Sequence, residues 1–400
     1  MRFWCNFARV NSRWTFFEET TDRAYAFICK LDDFTFMKIK NLLLRNYKKF
    51  NQWEQSFCED GVPHDMILIV GNNGSGKSSI LQSIAMIVGA AVKPFTKPSG
   101  LDYPGFRWNN IQRGRMPVEI KVTLQFSDEE IEATRQFSAS LAQKFPEKQF
   151  HLPGKNREVQ VWLDYVEDKI IANTLAGFLQ TKGYQYALQL SKFEQNFDRL
   201  FKQVGSFYLY HEQRTAVSID ASKLIGDTSG NGENKVVDVD ENLLKEQLFK
   251  WFIFHQNIIN TQRGFELREG QRDLFFELER RYQLLFRGHS FKGFAPKMSP
   301  DQFFDTEQDF WLYDGINDYE FSEMSGGERA IFPMLIDFAN RNINNSIIII
   351  DEVELHLHPP LQQALIRALP LLGSNNQFIL TTHSDDVASM FSESQIIRLS

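Results

Sequence analysis

The stretch Gly71-Asn72-Asn73-Gly74-Ser75-Gly76-Lys77-Ser78 constrains this chain more than any other. It fits the pattern G-x-x-x-x-G-K-[ST] at every fixed position. Residues 65–70 form a short apolar run, read as a buried strand, and residues 79–87 space their apolar side chains as a helix does. A strand, a glycine-rich turn and a helix let successive N–H groups face one phosphate chain at the positive end of the helix dipole. Lys77 then reaches the β- and γ-phosphates, and the Ser78 hydroxyl ligates Mg²⁺. Gly71, Asn72, Asn73, Gly74, Ser75, Gly76, Lys77, Ser78 and Ser79 are therefore the candidate phosphate-binding residues. The plain alternative is a glycine-rich turn without a ligand.

Three later segments supply what such a loop needs. Ser346-Ile347-Ile348-Ile349-Ile350-Asp351-Glu352 reads as a central parallel strand buried on both faces and ending in two acids. Open α/β sheets place ligands at that end. Asp351 is placed to hold Mg²⁺, and Glu352 to orient or deprotonate an attacking water. Ser325-Gly326-Gly327-Glu328 precedes a helical stretch. It reads as a capping box, and equally as a second phosphate-binding surface at a helix N-terminus. Residues 377–384 form another strand, ending in a polar turn where His383 can donate to a γ-phosphate.

Four hundred residues at 42% hydrophobic content support a sizeable core, and 37 Phe imply wide aromatic packing. The net charge of −7 argues against non-specific coating of nucleic acid. Cys5, Cys29 and Cys58 have neither metal nor disulfide spacing, which fits a reducing cytoplasm. Neither a membrane-spanning apolar run nor a signal peptide is evident.

Residues 1–36 differ from the rest, and Met37 opens a first strand to Tyr47. Met37 as natural start and an ordinary N-terminal arm are both open. Residues 50–57 read as a hairpin partner, 93–116 as a Pro/Gly-rich loop, and 116–126 and 157–166 as alternating strands of one antiparallel layer. Ser127 caps a helix to about 144. Helical spacing dominates 170–204. A short strand at 207–210, a polar and mobile loop at 226–241, helices at 243–260 and 272–285, and β-like stretches at 310–313 and 319–321 complete the reading.

These motifs, in this order, resemble the ABC-type ATPases of the RecF/SMC group. The resemblance rests on 71–78, 325–328, 347–351, Glu352 and His383, and covers roughly 37–90, 205–215 and 315–400. Val353-Glu354-Leu355-His356-Leu357-His358-Pro359 looks like the D-loop region of the branch holding the overcoming-lysogenization-defect ATPases and phage-defence ATPase subunits. The implied fold is α/β: a P-loop NTPase of the ABC-ATPase head type, with an antiparallel β-layer and a mainly helical insertion. The implied division is 1–36 extension, 37–127 first part of the head, 128–314 insertion and 315–400 second part. The implied cofactors are ATP and Mg²⁺, and the implied catalytic set is Glu352, Lys77 and His383. Asn46, with Tyr47, resembles the adenine-side residues. Gln213 is the best candidate for the family's metal-contacting glutamine, and Gln112 the second.

Such ATPases are implied to act as head-to-tail homodimers, each ATP lying between one copy's 71–78 loop and the other's Ser325-Gly326-Gly327. The leading expectation is a cytoplasmic switch that gates a separately encoded effector, possibly a nuclease, in phage defence, with no membrane association. A RecF-like repair clamp is the alternative, with Lys38, Lys40, Arg45, Lys48 and Lys49 as a basic edge toward DNA. A transporter ATP subunit fits less well, given Glu328, the early first strand and the long insertion. Too few residues separate Lys77 from Ser325 for SMC-type coiled-coil arms, and the end of the sequence after His383 leaves no room for a Toprim domain. Asp238-Val239-Asp240-Glu241 is read as a solvated acidic turn, and His356 and His358 lack the further ligands zinc needs.

Overall fold

A computed structural model describes residues 8–10, 13–15, 36–93, 97–114, 116–194, 198–211, 241–260, 267, 271–296 and 308–399. Gln213, most of the 226–241 loop with its Asp238-Val239-Asp240 turn, and most of the 1–36 extension lie outside them. Residues 1–34 and 35–400 are separate compact units. In the first, Ala8–Val10 pairs antiparallel with Arg13–Thr15. All that follows concerns the second.

Two sheets enclose the helix that follows the glycine-rich loop. β1 (Lys38–Tyr47) and β2 (Phe50–Ser56) form a hairpin closed at Tyr47 and Phe50. β3 (Met66–Gly71) leads through the loop into α1 (Lys77–Val92). β4 (Glu119–Gln125), α2 (Asp128–Lys144), β5 (Glu158–Asp164) and β6 (Lys169–Ala172) follow. β6, β5, β4, β1 and β2, in that order, make one antiparallel sheet. Alternating residues explain it: β4 buries Ile120, Val122 and Leu124 on one face while its charged residues point outward.

The second sheet is parallel. β7 (Phe207–Tyr210), α3 (Glu241–Asn260), α4 (Leu274–Leu285), β8 (Ser290–Pro296), β9 (Gln308–Tyr313) and β10 (Asp318–Glu320) precede α5 (Gly326–Arg341). β11 (Ile347–Ile350), α6 (Pro359–Leu372), β12 (Gln377–Thr382) and β13 (Ile396–Leu399) complete the chain. The strand order is β7-β11-β12-β3-β13, every pair parallel. β12 thus lies between the strand of the glycine-rich loop and the strand of the two acids.

Burial on both faces shows in β11. Ile347 and Ile349 join the core shared with α1 and the antiparallel sheet, while Ile348 and Ile350 join the core under α5 and α6. α1 is buried almost all round, as its apolar sequence requires. Its C-terminal carbonyls are capped from outside: Lys182 Nζ donates to Ala91 O at 2.6 Å, and Gln185 Nε2 to Val92 O and Lys93 O at 3.1 and 2.9 Å. The two sheets are joined by Gln377, wholly buried at the root of β12. β2 ends opposite Asn41, and Gln377 takes over the main chain of Ile39 beyond that point. Its Oε1 accepts from Ile39 N at 2.7 Å, and its Nε2 donates to Ile39 O at 3.0 Å and His64 O at 3.1 Å.

Two stretches depart from the sequence expectation. The span 170–204 is not helical from its start: Ile170, Ile171 and Ala172 pair with β5 as β6, and helices begin only at Leu175. β8 was not foreseen, because Gly293 and Pro296 interrupt its alternation. It pairs with β9 and packs Phe291 and Phe294 on the aromatic core around Phe310.

Candidate active site

The loop 71–78 takes the backbone shape its glycines allow. Gly74 and Gly76 have φ of +75° and +103°. Gly76 also has no room for a side chain, since a Cβ there would stand 2.7 Å from Phe50 Cζ and 3.0 Å from Lys49 Cδ. The β1–β2 turn therefore sits directly on the loop, and Lys49 Nζ donates to Gly74 O at 3.2 Å.

Lys77, at the first position of α1, turns back on the loop and donates to Gly71 O at 2.9 Å and Asn72 O at 3.3 Å. Burial lowers its pKa, and the nearby carboxylates of Glu352, Asp351 and Glu354 oppose that shift. The strand order thus brings the lysine and the acids together. Among the described residues, Ser75 Oγ is buried without a hydrogen-bond partner. Two hydroxyls (Ser75, Ser78), a lysine and the main-chain N–H groups of a glycine-rich turn at a helix start suit a polyphosphate. Ser78 and Asp351, the residues expected to hold Mg²⁺, both carry oxygen donors, the ligand type that ion takes.

Asp351 is 1% exposed. Thr381 donates its hydroxyl to Oδ1, and Tyr103 donates its own to Oδ2. Glu352 has a φ of +46°, unusual for a residue with a side chain, and its N–H donates to Thr381 Oγ1 at 2.8 Å. This turn swings its carboxylate out of the strand direction to within 3.8 Å of His383 Nε2. Glu354 holds the opposite wall. Its carboxylate accepts from Thr382 Oγ1 at 2.7 Å and from the His383 main-chain N–H.

Ser325 and Glu328 form a reciprocal capping box at the start of α5. Ser325 Oγ accepts from Glu328 N at 3.2 Å, and Glu328 Oε2 accepts from Ser325 N at 2.8 Å. Glu328 Oε1 accepts from the hydroxyls of Tyr282 and Tyr319, the latter at 2.6 Å. Burial pushes the Glu328 pKa up, but these hydrogen bonds outweigh it and leave it lowered. Glu328 was expected among the nucleotide-side residues; in this copy its carboxylate is committed inside its own chain. Ser325 and Gly326 stay exposed, with open space at the Gly326 Cα.

The remaining expected residues divide. Asn46 is half-buried near the end of β1, with a positive φ of +50° and Nδ2 donating to Pro117 O at 2.9 Å. Gln112 bridges to Tyr47 and does not reach Asp351 in any described contact. Among the described residues, three of the five residues of the basic edge pair with carboxylates, and Lys48 and Lys49 do not. Lys38 pairs with Asp65, Lys40 with Glu158 and Arg45 with Glu119, while Lys48 donates to Gln82. Tyr103, Thr381 and Glu354 were not singled out as site residues. The two threonines beside His383 were a visible signal, whereas Tyr103 sits in an irregular loop far from Asp351 in sequence.

The model of the family described as AAA ATPase domain matches residues 37–388. The retron Vc95 probable ATPase of Vibrio cholerae serotype O1 biovar El Tor is 24% identical over 406 residues, covering 90% of this chain and 73% of that protein. The retron Ec83 probable ATPase of Escherichia coli is 41% identical over 76 residues, 16% of this chain and 14% of that protein. Among solved structures, an Smc head bound to the C-winged helix domain of ScpA superposes with a TM-score of 0.47 at 17% identity, covering 90% of this chain and 94% of that one. Among the described residues, no helix is long and apolar enough to cross a membrane.

Proposed function

This chain belongs to the AAA ATPase domain family and is an ATPase, and we propose that it works as a nucleotide-driven switch made of two copies of itself. The observation that carries this reading is the turn at 325–328. Glu328 is drawn inside, while Ser325 and Gly326 stand at the surface at the N-terminus of a 16-residue helix. A helix end held this way offers N–H groups to an anion. Among the described residues, no hydrogen bond or ion pair joins it to the chain's own 71–78 loop. The reading gives it the γ-phosphate held by a second copy, so that each ATP closes the dimer and hydrolysis opens it.

Within one copy, the N–H groups of 71–78 and the Lys77 ammonium bind the phosphates. Mg²⁺, held by Ser78 and Asp351 with Gln213 as a further candidate, would neutralise charge on the β- and γ-phosphates. Glu352 takes the proton of the attacking water, and His383 donates to the γ-phosphate. Asn46 lies on the adenine side. The partner moved by this cycle is a separately encoded effector, with a nuclease the first candidate. The setting is phage defence in the cytoplasm, supported by the resemblance at 353–359 and by the retron-encoded relatives.

Sedimentation tests the switch. Glu352→Gln with saturating Mg²⁺–ATP should run as a dimer. Adding Ser325→Arg should return it to a monomer that still binds ATP. A Glu352→Gln protein that stays monomeric with ATP bound would overturn the reading.

A further inference from the structure

The carboxylate assigned to the metal already has a hydroxyl on each oxygen. With Asp351 at 1% exposure, the Thr381 and Tyr103 hydroxyls cover its carboxylate, and a cation that binds it directly competes with them for its oxygens. The two donors differ in how firmly they are held. Thr381 lies in β12, in the middle of the parallel sheet, and its hydroxyl also accepts from Glu352 N. Moving it would strip a partner from the turn that aims Glu352. Tyr103 comes from the irregular stretch between the short 3₁₀ turns Pro98–Gly100 and Trp108–Asn110.

That stretch is tied to the other half of the site. Gln82 on α1 donates to Pro104 O at 3.1 Å and accepts from Lys48 of the β1–β2 turn. Arg113, just beyond it, donates to Lys49 O at 2.7 Å. One loop therefore touches the buried acid, the helix of the glycine-rich loop and the turn resting on that loop.

We propose that the Tyr103 hydroxyl competes with the metal for Asp351, so that Mg²⁺–ATP binding releases Tyr103 and shifts the 101–106 loop. The inference rests on the assignment of Asp351 to the metal. It makes Tyr103 a positioning residue that sets how readily the loaded nucleotide is accepted, and makes its loop the part of the head that senses loading.

Tyr103→Phe keeps the buried ring and removes only the hydroxyl. The test is the affinity of a fluorescent ATP analogue for the full chain, measured with excess Mg²⁺ and again with EDTA. Competition predicts tightening by about tenfold in Mg²⁺, the scale of one hydrogen bond to a charged group, and no change in EDTA. Unchanged or weaker binding in Mg²⁺ overturns the inference while leaving the metal site standing. If the parent chain binds no more tightly in Mg²⁺ than in EDTA, the metal assignment falls, and this inference with it.

Discussion

His383 Nε2 stands 3.8 Å from Glu352 Oε1, at the ends of neighbouring parallel strands. The separation is too long for a hydrogen bond and within ion-pair reach. Each group is held from behind, Glu352 through its N–H on Thr381 and His383 through its N–H on Glu354.

Glu352→Gln should therefore lower turnover by roughly 10²- to 10⁴-fold, the range for loss of a general base, while ATP affinity is kept. His383→Ala should lower it less, and the double variant should fall short of the product of the two because the groups act together. Phosphate release against nucleotide binding separates the effects. Full turnover in Glu352→Gln would remove Glu352 from the chemistry.

Two glycines of the loop should respond differently to alanine. Gly74 has a positive φ but open space, so Gly74→Ala meets backbone strain alone, about 1–3 kcal/mol. Gly76→Ala meets the same strain and the Phe50 ring at 2.7 Å. Thermal melts should show the larger loss for Gly76→Ala, with ATP binding lost along with it. Equal losses would mean that the β1–β2 turn does not press on the loop.

Glu328→Ala leaves the hydroxyls of Tyr282 and Tyr319 and the Ser325 N–H without their acceptor. A cost of about 3 kcal/mol is expected for so many buried donors on a charged group. Turnover should drop with little change in ATP affinity, since the bound phosphates contact 71–78 of the same copy. Because the folded pKa of Glu328 is lowered, its contribution is present above the ordinary carboxylate range and fades as pH falls through the folded value. A melt unchanged from the parent's would contradict the anchoring role.

Glu130 works with the opposite sign. It is buried on α2, accepting from Met37 N and Gly205 N at 2.8 Å each, and burial pushes its pKa up to about 7. The unfolded chain loses this proton near pH 4.5 and the folded chain near 7, so stability falls as pH rises through that window, by about 3 kcal/mol at most. Glu130→Gln removes the titration. The parent should gain on this variant in Tm between pH 8 and pH 5.5, and a difference independent of pH would rule the effect out.

The loop 71–78, the capping box, the acidic strand and the strands at 37–47 and 116–126 were legible because each is specified by neighbours in sequence. Glycines set a turn, alternation sets a face, and Ser-x-x-Glu sets a helix start. The rest depended on distant partners. Ile170-Ile171-Ala172 is too short for its period to decide, and pairing with Trp162 and its neighbours settled it as strand. Glu328 carried a family role in the sequence, but the two tyrosines that claim its carboxylate come from elements with no motif. Tyr103 gave no local sign at all, since its partner lies 248 residues away.

Gln377 has a mechanical consequence. One amide fastens the root of β12 to the first strand of the antiparallel sheet, and the far end of β12 carries His383. The two sheets are thus riveted at the end opposite the chemistry, and pivoting them apart there would tear two buried hydrogen bonds. On the proposed reading, a stroke driven by ATP would pass through each copy with its two sheets held as one rigid lever. Spectroscopic labels placed on the two sheets of one head should keep their spacing through the cycle, while labels on different heads should not.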